Sequence, residues 1–171
     1  AGDRLYHGMY KRGFISTSSV VARKKAILAC GGFDQSLRTG QDFDLWLRIM
    51  KNHKNKIAVL DDSLTKYNIR ADSVTRQTGQ RLRDTLKIAY RHAPVLRCHS
   101  GSAWASVTFR VAALFAEAAN GYRRNSKWIS VFKVIFQFPF CLIEGIRAIY
   151  RQERYTLDSP FVTGPDYEVW K

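Results

Sequence analysis

The sequence from Gly31 to Arg48 constrains the fold of this chain more than any other stretch. It reads Gly-Gly-Phe-Asp-Gln-Ser-Leu-Arg-Thr-Gly-Gln-Asp-Phe-Asp-Leu-Trp-Leu-Arg. The glycine pair is typical of a helix end, and Asp34 behind it favours a turn made through its side chain. A new helix is then predicted, because apolar residues recur at the spacing of one helical face. These residues are Phe43, Trp46, Leu47 and Met50.

The two acids that open this helix each have an ordinary structural explanation. Thr39 followed by Asp42 resembles a capping box, and acids in a first turn suit the helix dipole. Asp44 can also pair with Arg48 at i+4. Asp42 has no basic residue at i+3 or i+4. It stands where a loop meets a helix, which is a common place for a reactive carboxylate.

The stretch resembles the acceptor-side segment of the family 2 glycosyltransferases, enzymes of the GT-A fold, and the resemblance extends from about Gly13 to Arg76. The family usually carries a Glu-Asp pair here whose acid acts as the base, and this chain has Gln41-Asp42. The resemblance implies an α/β fold, with half of a Rossmann-like domain over residues 1–76. It also implies inverting transfer of a sugar from a nucleotide-sugar donor to an acceptor hydroxyl, with Asp42 as general base.

The resemblance further implies which residues surround the substrate. A strand is predicted from Phe14 to Val21, polar in the middle, and similar strands in the family face the substrate with small hydroxyl side chains. The alternative is a strand with one solvated face. Substrate contacts are implied for Gln41, Asp44, Trp46, Ser18 and Ser19.

A second element, Tyr67–Thr75, resembles the family pattern Tyr-x-x-His-x-x-Ser-x-Ser, which lies near the nucleotide diphosphate and its metal. Arg70 stands at the His position. A guanidinium cannot bind a metal but can hold phosphate oxygens in a fork. Diphosphate binding is therefore implied for Arg70, Ser73 and Thr75, and the alternative for Arg70 is a surface arginine.

The family also implies a divalent metal, Mg²⁺ or Mn²⁺, that neutralises the departing diphosphate. Asp42-Phe43-Asp44 has the D-x-D form of the family's metal motif, but it opens an amphipathic helix, whereas the metal motif follows a buried strand. We predict no metal ligand in this chain. The metal ligands and the donor-binding half are expected upstream, so this chain alone is expected to be inactive.

The pattern becomes helical beyond residue 76. Helices are predicted over Gln80–His92, ended by Pro94, and over Ser102–Asn120, closed by Gly121. We therefore expect a helical extension over residues 77–155 and an irregular tail over residues 156–171. Further predictions are a helix over 23–30 and short strands over 57–60 and 64–69.

Trp128–Ile143 is unusually apolar but too short to cross a bilayer. Cations flank it on both sides, at Arg123, Arg124, Lys127, Arg147, Arg151 and Arg154. This pattern favours a helix in a membrane interface, and the alternative is a helix buried against the domain or an oligomer partner. We predict a peripheral protein at the cytoplasmic face of the inner membrane, with a glycan or glycolipid of the cell envelope as acceptor.

The net charge of +14 suits a polyanionic partner: nucleic acid, anionic lipid or a nucleotide diphosphate. The aromatic residues fall in apolar stripes rather than among the basic residues, which disfavours nucleic acid. Two alternative functions stay open, a basic membrane-associated structural module and a nucleic-acid-binding module. The three cysteines lack metal-site spacing and predict reduced thiols. The opening residues show no leader pattern, so no signal peptide is expected.

Overall fold

The computed structural model describes residues 2–51, 57–58, 65–66 and 77–151 of the 171-residue chain. Helices contain 73% of the described residues, which include no strand, so the described chain is all-helical and the predicted α/β fold is wrong. The α-helices are α1 (Gly2–Arg12), α2 (Lys24–Ala29), α3 (Gln41–Lys51), α4 (Thr78–His92), α5 (Ala103–Arg124) and α6 (Trp128–Ile149). Two short 3-10 helices cover Thr17–Ser19 and Pro94–Cys98.

The predicted strand Phe14–Val21 contains the 3-10 helix Thr17–Ser19 instead. The backbone is extended on both sides of it, at Ser16 (φ −89°, ψ 136°) and Val20 (φ −116°, ψ 134°). A strand is stabilised by hydrogen bonds to a neighbouring strand, and no described segment supplies one. Most of the strands predicted over 57–60 and 64–69 lies outside the described residues, and residues 57, 58, 65 and 66 belong to no strand.

The short helix predicted before the glycine pair is confirmed as α2, and its end has the predicted geometry. Gly31 and Gly32 have φ of 78° and 69°, the left-handed conformation that favours glycine. The amide of Gly32 donates to the carbonyl of Ile27 at 3.0 Å, which satisfies a carbonyl at the helix end. The predicted turn at Asp34 is also confirmed, because its Oδ1 accepts from the amide of Ser36 at 2.8 Å.

The last two helices are longer than predicted. Gly121 does not end α5, which continues to Arg124. A Cβ at Gly121 would lie 2.9 Å from Thr78 Oγ1, so glycine permits the close approach of α4 and α5 without a shift of the Thr78 side chain. The helix expected to end near Ile143 continues to Ile149, with Pro139 inside it.

The core forms where α5 and α6 pack against each other and α4 packs against both. The helices α5 and α6 are antiparallel, because Val107 near the start of α5 lies by Gly145 near the end of α6, and Phe115 contacts Phe138. α1 lies against α5 and α3, and α2 lies against α3. Residues on both sides of the domain boundary predicted at residue 76 share this one core. Its most buried apolar side chains include Met9, Leu45, Leu47, Ile88, Leu96, Val107 and Val111.

Candidate active site around Asp42

A surface cleft of about 460 Å³ opens where the loop before α3 meets the segment that follows α1. Asp42, in the first turn of α3, supplies a carboxylate to it. The cleft therefore contains the one residue that the resemblance identifies as a general base. Its full lining is Thr17, Phe33, Asp34, Gln35, Leu37, Gln41 and Asp42.

The Asp42 carboxylate is oriented by two hydrogen bonds. Thr17 Oγ1 donates to Oδ2 at 2.6 Å, and the amide of Phe43 donates to Oδ1 at 2.8 Å. An ionised carboxylate has about four acceptor positions, so these two bonds leave capacity for a hydroxyl in the cleft. The arrangement can hold a carboxylate in a fixed orientation towards a substrate hydroxyl and accept its proton.

The polar residues near Asp42 differ in whether they line the cleft. Gln41 lines the cleft, and its amide group donates to the carbonyl of Leu37 at 2.7 Å, which closes the loop before α3. Ser18 and Ser19 are exposed but do not line the cleft, and the Ser19 hydroxyl donates to the carbonyl of Ser16. Thr17, which lies in the same hydroxyl-rich run, is the residue that reaches Asp42.

Asp44 is completely buried, so the substrate contact predicted for it does not fit its position. The predicted ion pair is confirmed, with Arg48 Nε 2.9 Å from Oδ2. Arg91 and His92 of α4 lie 3.0 Å from Oδ1. Burial alone would raise the pKa of Asp44, but the hydrogen bond from His92 and the charges of Arg91 and Arg48 outweigh burial and hold that pKa far below its usual range.

Trp46 is likewise part of the core rather than of the cleft surface. Only 7% of its side chain is exposed, and it lies on the apolar face of α3 with Phe43 and Met50. Its indole Nε1 has no hydrogen-bond partner among the described residues. A substrate contact through Trp46 would require the core face of α3 to open.

The spaced residues of the Gly31–Arg48 stretch bind one another and thereby build the wall of the cleft. Arg48 donates to the carbonyls of Cys30 and Gly32, the latter at 2.7 Å, so the left-handed turn is fastened to α3. Arg91 bridges Asp34, at 2.7 Å, and Asp44. Burial opposes ionisation of Asp34, but hydrogen bonds from Ser36 and Arg91 lower its pKa. Arg91 therefore joins the cleft wall to α4.

The expected capping box is wrong, because the Thr39 hydroxyl donates to Asp84 of α4 rather than to the start of α3. Asp84 Oδ2 also accepts from the amides of Arg38 and Thr39, at 3.2 and 3.0 Å. Burial would raise the pKa of Asp84, but hydrogen bonds from Gln80 and Thr39 lower it. Because Asp84 lies more than forty residues from this loop in sequence, no local pattern indicated its role.

The residues predicted to bind diphosphate, Arg70, Ser73 and Thr75, lie outside the described residues, and their role stays a prediction. Gln77, just after these residues, lines a second cleft of about 490 Å³. This cleft includes the first turn of α4. It also contains three cationic side chains, those of Arg38, Arg83 and Lys127.

The described residues do not fit the divalent metal that the family implies. They contain no group of three His, Cys, Asp or Glu side chains able to hold an ion. Asp44, the second acid of the Asp42-Phe43-Asp44 string, is occupied by Arg48, Arg91 and His92. No chemical step is therefore assigned to a metal here.

No family model, no curated protein and no solved structure matches this chain. The resemblance of Gly31–Arg48 to the glycosyltransferases thus rests on the motif residues alone.

Proposed function

We propose that this chain supplies the acceptor-side base of a glycosyltransferase. In this reaction Asp42 removes the proton of an acceptor hydroxyl while the hydroxyl oxygen attacks the anomeric carbon of a nucleotide-sugar donor. The new glycosidic bond forms as the bond from that carbon to the diphosphate breaks, and the configuration inverts. The proton remains on Asp42, and the nucleoside diphosphate leaves with the bonding electrons.

The observation that carries this proposal is the Thr17–Asp42 hydrogen bond at the edge of the 460 Å³ cleft. A general base must be within reach of the hydroxyl proton and held in one orientation. Asp42 lines the cleft and its carboxylate is oriented by two hydrogen bonds, which supports this role. The neighbouring acid Asp44 is instead fully buried and paired. The acceptor is expected to enter the cleft, between Thr17 and the loop that carries Asp34.

The donor and its diphosphate are assigned to residues other than those lining this cleft. The described lining of this cleft includes two carboxylates, those of Asp34 and Asp42, and no cation, so it disfavours a diphosphate. The proposed diphosphate partners are Arg70, Ser73 and Thr75. A glycan or glycolipid of the cell envelope is the proposed acceptor class.

The test is the substitution Asp42→Asn in the active protein, with release of nucleoside diphosphate measured over a panel of nucleotide-sugars. The amide keeps the size of the side chain but cannot accept the proton, so transfer should fall by about 10²–10⁴. Binding of the nucleotide-sugar should change little. Glu117→Gln is the matched control, because this exposed acid pairs with Arg81 and does not line the cleft. Equal turnover for Asp42→Asn and the unsubstituted protein would remove Asp42 from the mechanism.

A further inference from the structure

The helix α6 carries apolar residues on two opposite sides. One side packs into the core and contains Val134, Gly145, Ala148 and Ile149. The other side faces away from the protein. Its residues follow one another at steps of three or four, which keeps them on one helical face. This outer stripe consists of Ile129, Phe132, Phe136, Phe140 and Ile143.

The outer stripe forms a large continuous apolar surface. Between 49% and 75% of each of its side chains is exposed, and the rings of Phe136 and Phe140 lie 5.9 Å apart. Trp128 and Ile135, also exposed, widen it. A soluble monomer rarely exposes a patch of this kind unless the patch binds something. The alternative of a helix buried against its own domain therefore holds only for the inner side of α6.

The charges around α6 indicate what covers the outer stripe. Arg123, Arg124 and Lys127 are exposed just before its first turn. At its other end Arg147 and Arg151 share a single acid, Glu144, at 3.2 and 2.7 Å. Both ends of the helix are therefore positive, in a chain whose net charge is +14. An apolar strip with cations at both ends matches the acyl region and headgroups of an anionic lipid surface.

A second copy of this chain suits the stripe less well. Two α6 helices facing each other would bring positive ends together in either the parallel or the antiparallel orientation. Like charges placed across an interface destabilise it. Anionic lipid reverses this effect, because the same cations then face negative headgroups.

Aromatic residues at the ends of α6 also fit a membrane interface. Trp128 lies at the first turn, and Tyr150 follows the last. The indole Nε1 of Trp104 donates to the Tyr150 hydroxyl at 2.9 Å, and both side chains are exposed. Trp and Tyr are enriched at membrane–water boundaries because one part of each ring is apolar and another is polar.

The orientation follows from the packing of the inner side. α6 has 22 residues and contains an 18-residue window with a mean hydropathy of 1.7, so by length and composition it could cross a membrane. Its inner side, however, is held by α5 and by Tyr90 of α4, whose hydroxyl donates to the Cys141 carbonyl at 2.7 Å. α5 in turn exposes Glu117, which pairs with Arg81. If α6 crossed the membrane, either Glu117 and Arg81 would enter the lipid or α6 would have to separate from α4 and α5.

We propose that the outer stripe of α6 docks in the plane of an anionic membrane surface, with Phe136 and Phe140 in the acyl boundary and the flanking cations at the headgroups. This docking is independent of the proposed glycosyl transfer. The two can be tested separately, because Asp42 lies in α3 and does not belong to the stripe.

The test is sedimentation of the chain with phosphatidylcholine vesicles that contain or lack phosphatidylglycerol. Binding should be stronger to the anionic vesicles, since each cation near the surface contributes roughly fivefold to the partition coefficient. Added salt should weaken binding without abolishing it, because apolar burial is not screened. Arg123→Gln with Arg124→Gln should reduce the dependence on phosphatidylglycerol and leave the fold unchanged.

The decisive variant is Phe136→Asp with Phe140→Asp. It should lower vesicle binding by more than about a hundredfold, since each buried Phe contributes roughly tenfold or more. The melting transition should persist because both side chains are already exposed. Val21→Asp with Leu28→Asp is the matched control, since it makes the same chemical change at exposed residues away from α6. That control should retain binding.

Four results would overturn the proposal. They are absence of binding to either vesicle, binding unchanged by the double Phe variant, loss of the melting transition in that variant, and a dimer in light scattering that the variant dissociates without any vesicle binding. The last result would assign the stripe to a second copy. Alkaline carbonate should extract the protein from the vesicles, whereas high salt alone should release only part of it. A requirement for detergent would replace the in-plane orientation by a crossing helix.

Discussion

The imidazole Nε2 of His92 lies 3.0 Å from Oδ1 of Asp44, in the buried space between α3 and α4. The other ring nitrogen, Nδ1, lies 3.1 Å from the hydroxyl of Tyr6 in α1. A neutral ring satisfies both partners, because Nε2–H donates to the carboxylate and Nδ1 accepts from the hydroxyl. Burial lowers the pKa of His92, and the nearby charges of Arg91 and Arg48 lower it further against the opposing effect of Asp44. Three helices therefore meet at a neutral histidine.

The first prediction is that the protein loses stability as the pH falls below about 6.5, the ordinary pKa of an unfolded histidine. Because the pKa of His92 is lower in the folded state, the unfolded chain binds the proton preferentially and unfolding becomes easier as acid is added. The pKa of Asp44 is also lowered by folding, so a second loss should begin below about pH 4. Urea unfolding measured over this pH range checks both steps.

His92→Gln separates the two steps. The glutamine amide can donate to Asp44 and accept from Tyr6, but it does not titrate. Stability should therefore vary less between pH 7 and pH 5 than in the unsubstituted protein, while the loss below pH 4 remains. The same slope in both proteins between pH 7 and pH 5 would show that His92 does not control this step.

The second prediction is that Asp44→Asn destabilises the fold by about 3–5 kcal/mol, the usual effect of breaking a buried ion pair from one side. The sequence indicated one partner for Asp44, Arg48, and the loss of that single pair would change stability only slightly. The structure adds Arg91 and His92 of α4, and no part of the Asp44 side chain is exposed. Urea unfolding at neutral pH gives the change in free energy. Asp34→Asn, at the edge of the same network, should lower the free energy of unfolding by less. Equal losses in the two variants would contradict the central place of Asp44.

The sequence predicted local structure near Asp42 well and tertiary contacts poorly. The left-handed turn at Gly31 and Gly32, the turn at Asp34 and the Asp44–Arg48 pair all depend on residues within four positions of one another, and all three are confirmed. The contacts of Asp84 and His92 with this region join residues more than forty positions apart. Such contacts depend on how the helices pack against one another, and the periodicity of apolar residues does not show which helices will pack together.

The strand predicted at Phe14–Val21 is wrong for the same reason, because it also depended on a tertiary contact. Residue preferences favoured an extended backbone, and Ser16 and Val20 are extended. A sheet also requires a second strand at hydrogen-bonding distance, and the described chain places none there. The hydroxyl-rich run was expected to face the substrate through Ser18 and Ser19, but a 3-10 turn brings Thr17 to Asp42 instead.

The third prediction follows from that contact. Thr17→Val keeps the shape of the side chain but removes the hydroxyl that donates to Asp42 at 2.6 Å. A hydrogen bond to a charged group contributes about 1.5–3 kcal/mol, so transfer should slow by roughly tenfold or more if the bond orients the base. Thr17→Ser should restore most of the rate. Thr17 is exposed, so the melting temperature should change little in either variant. A purely structural role would instead lower stability and leave the rate per folded molecule unchanged.

The fourth prediction concerns Gly145, where α6 lies against α5. A Cβ at this position would lie 2.9 Å from Val107 Cγ1, 3.3 Å from the Tyr90 ring and 3.4 Å from Val111 Cγ2. Gly145→Leu should therefore separate the two helices and destabilise the protein by about 1–3 kcal/mol or more, even though leucine favours helix formation. Ile143→Leu, on the outer stripe of the same helix, is the matched control and should have almost no effect on urea unfolding. Equal stability of the two variants would show that the inner side of α6 does not pack on α5 as described, and it would also remove the packing argument for an in-plane α6.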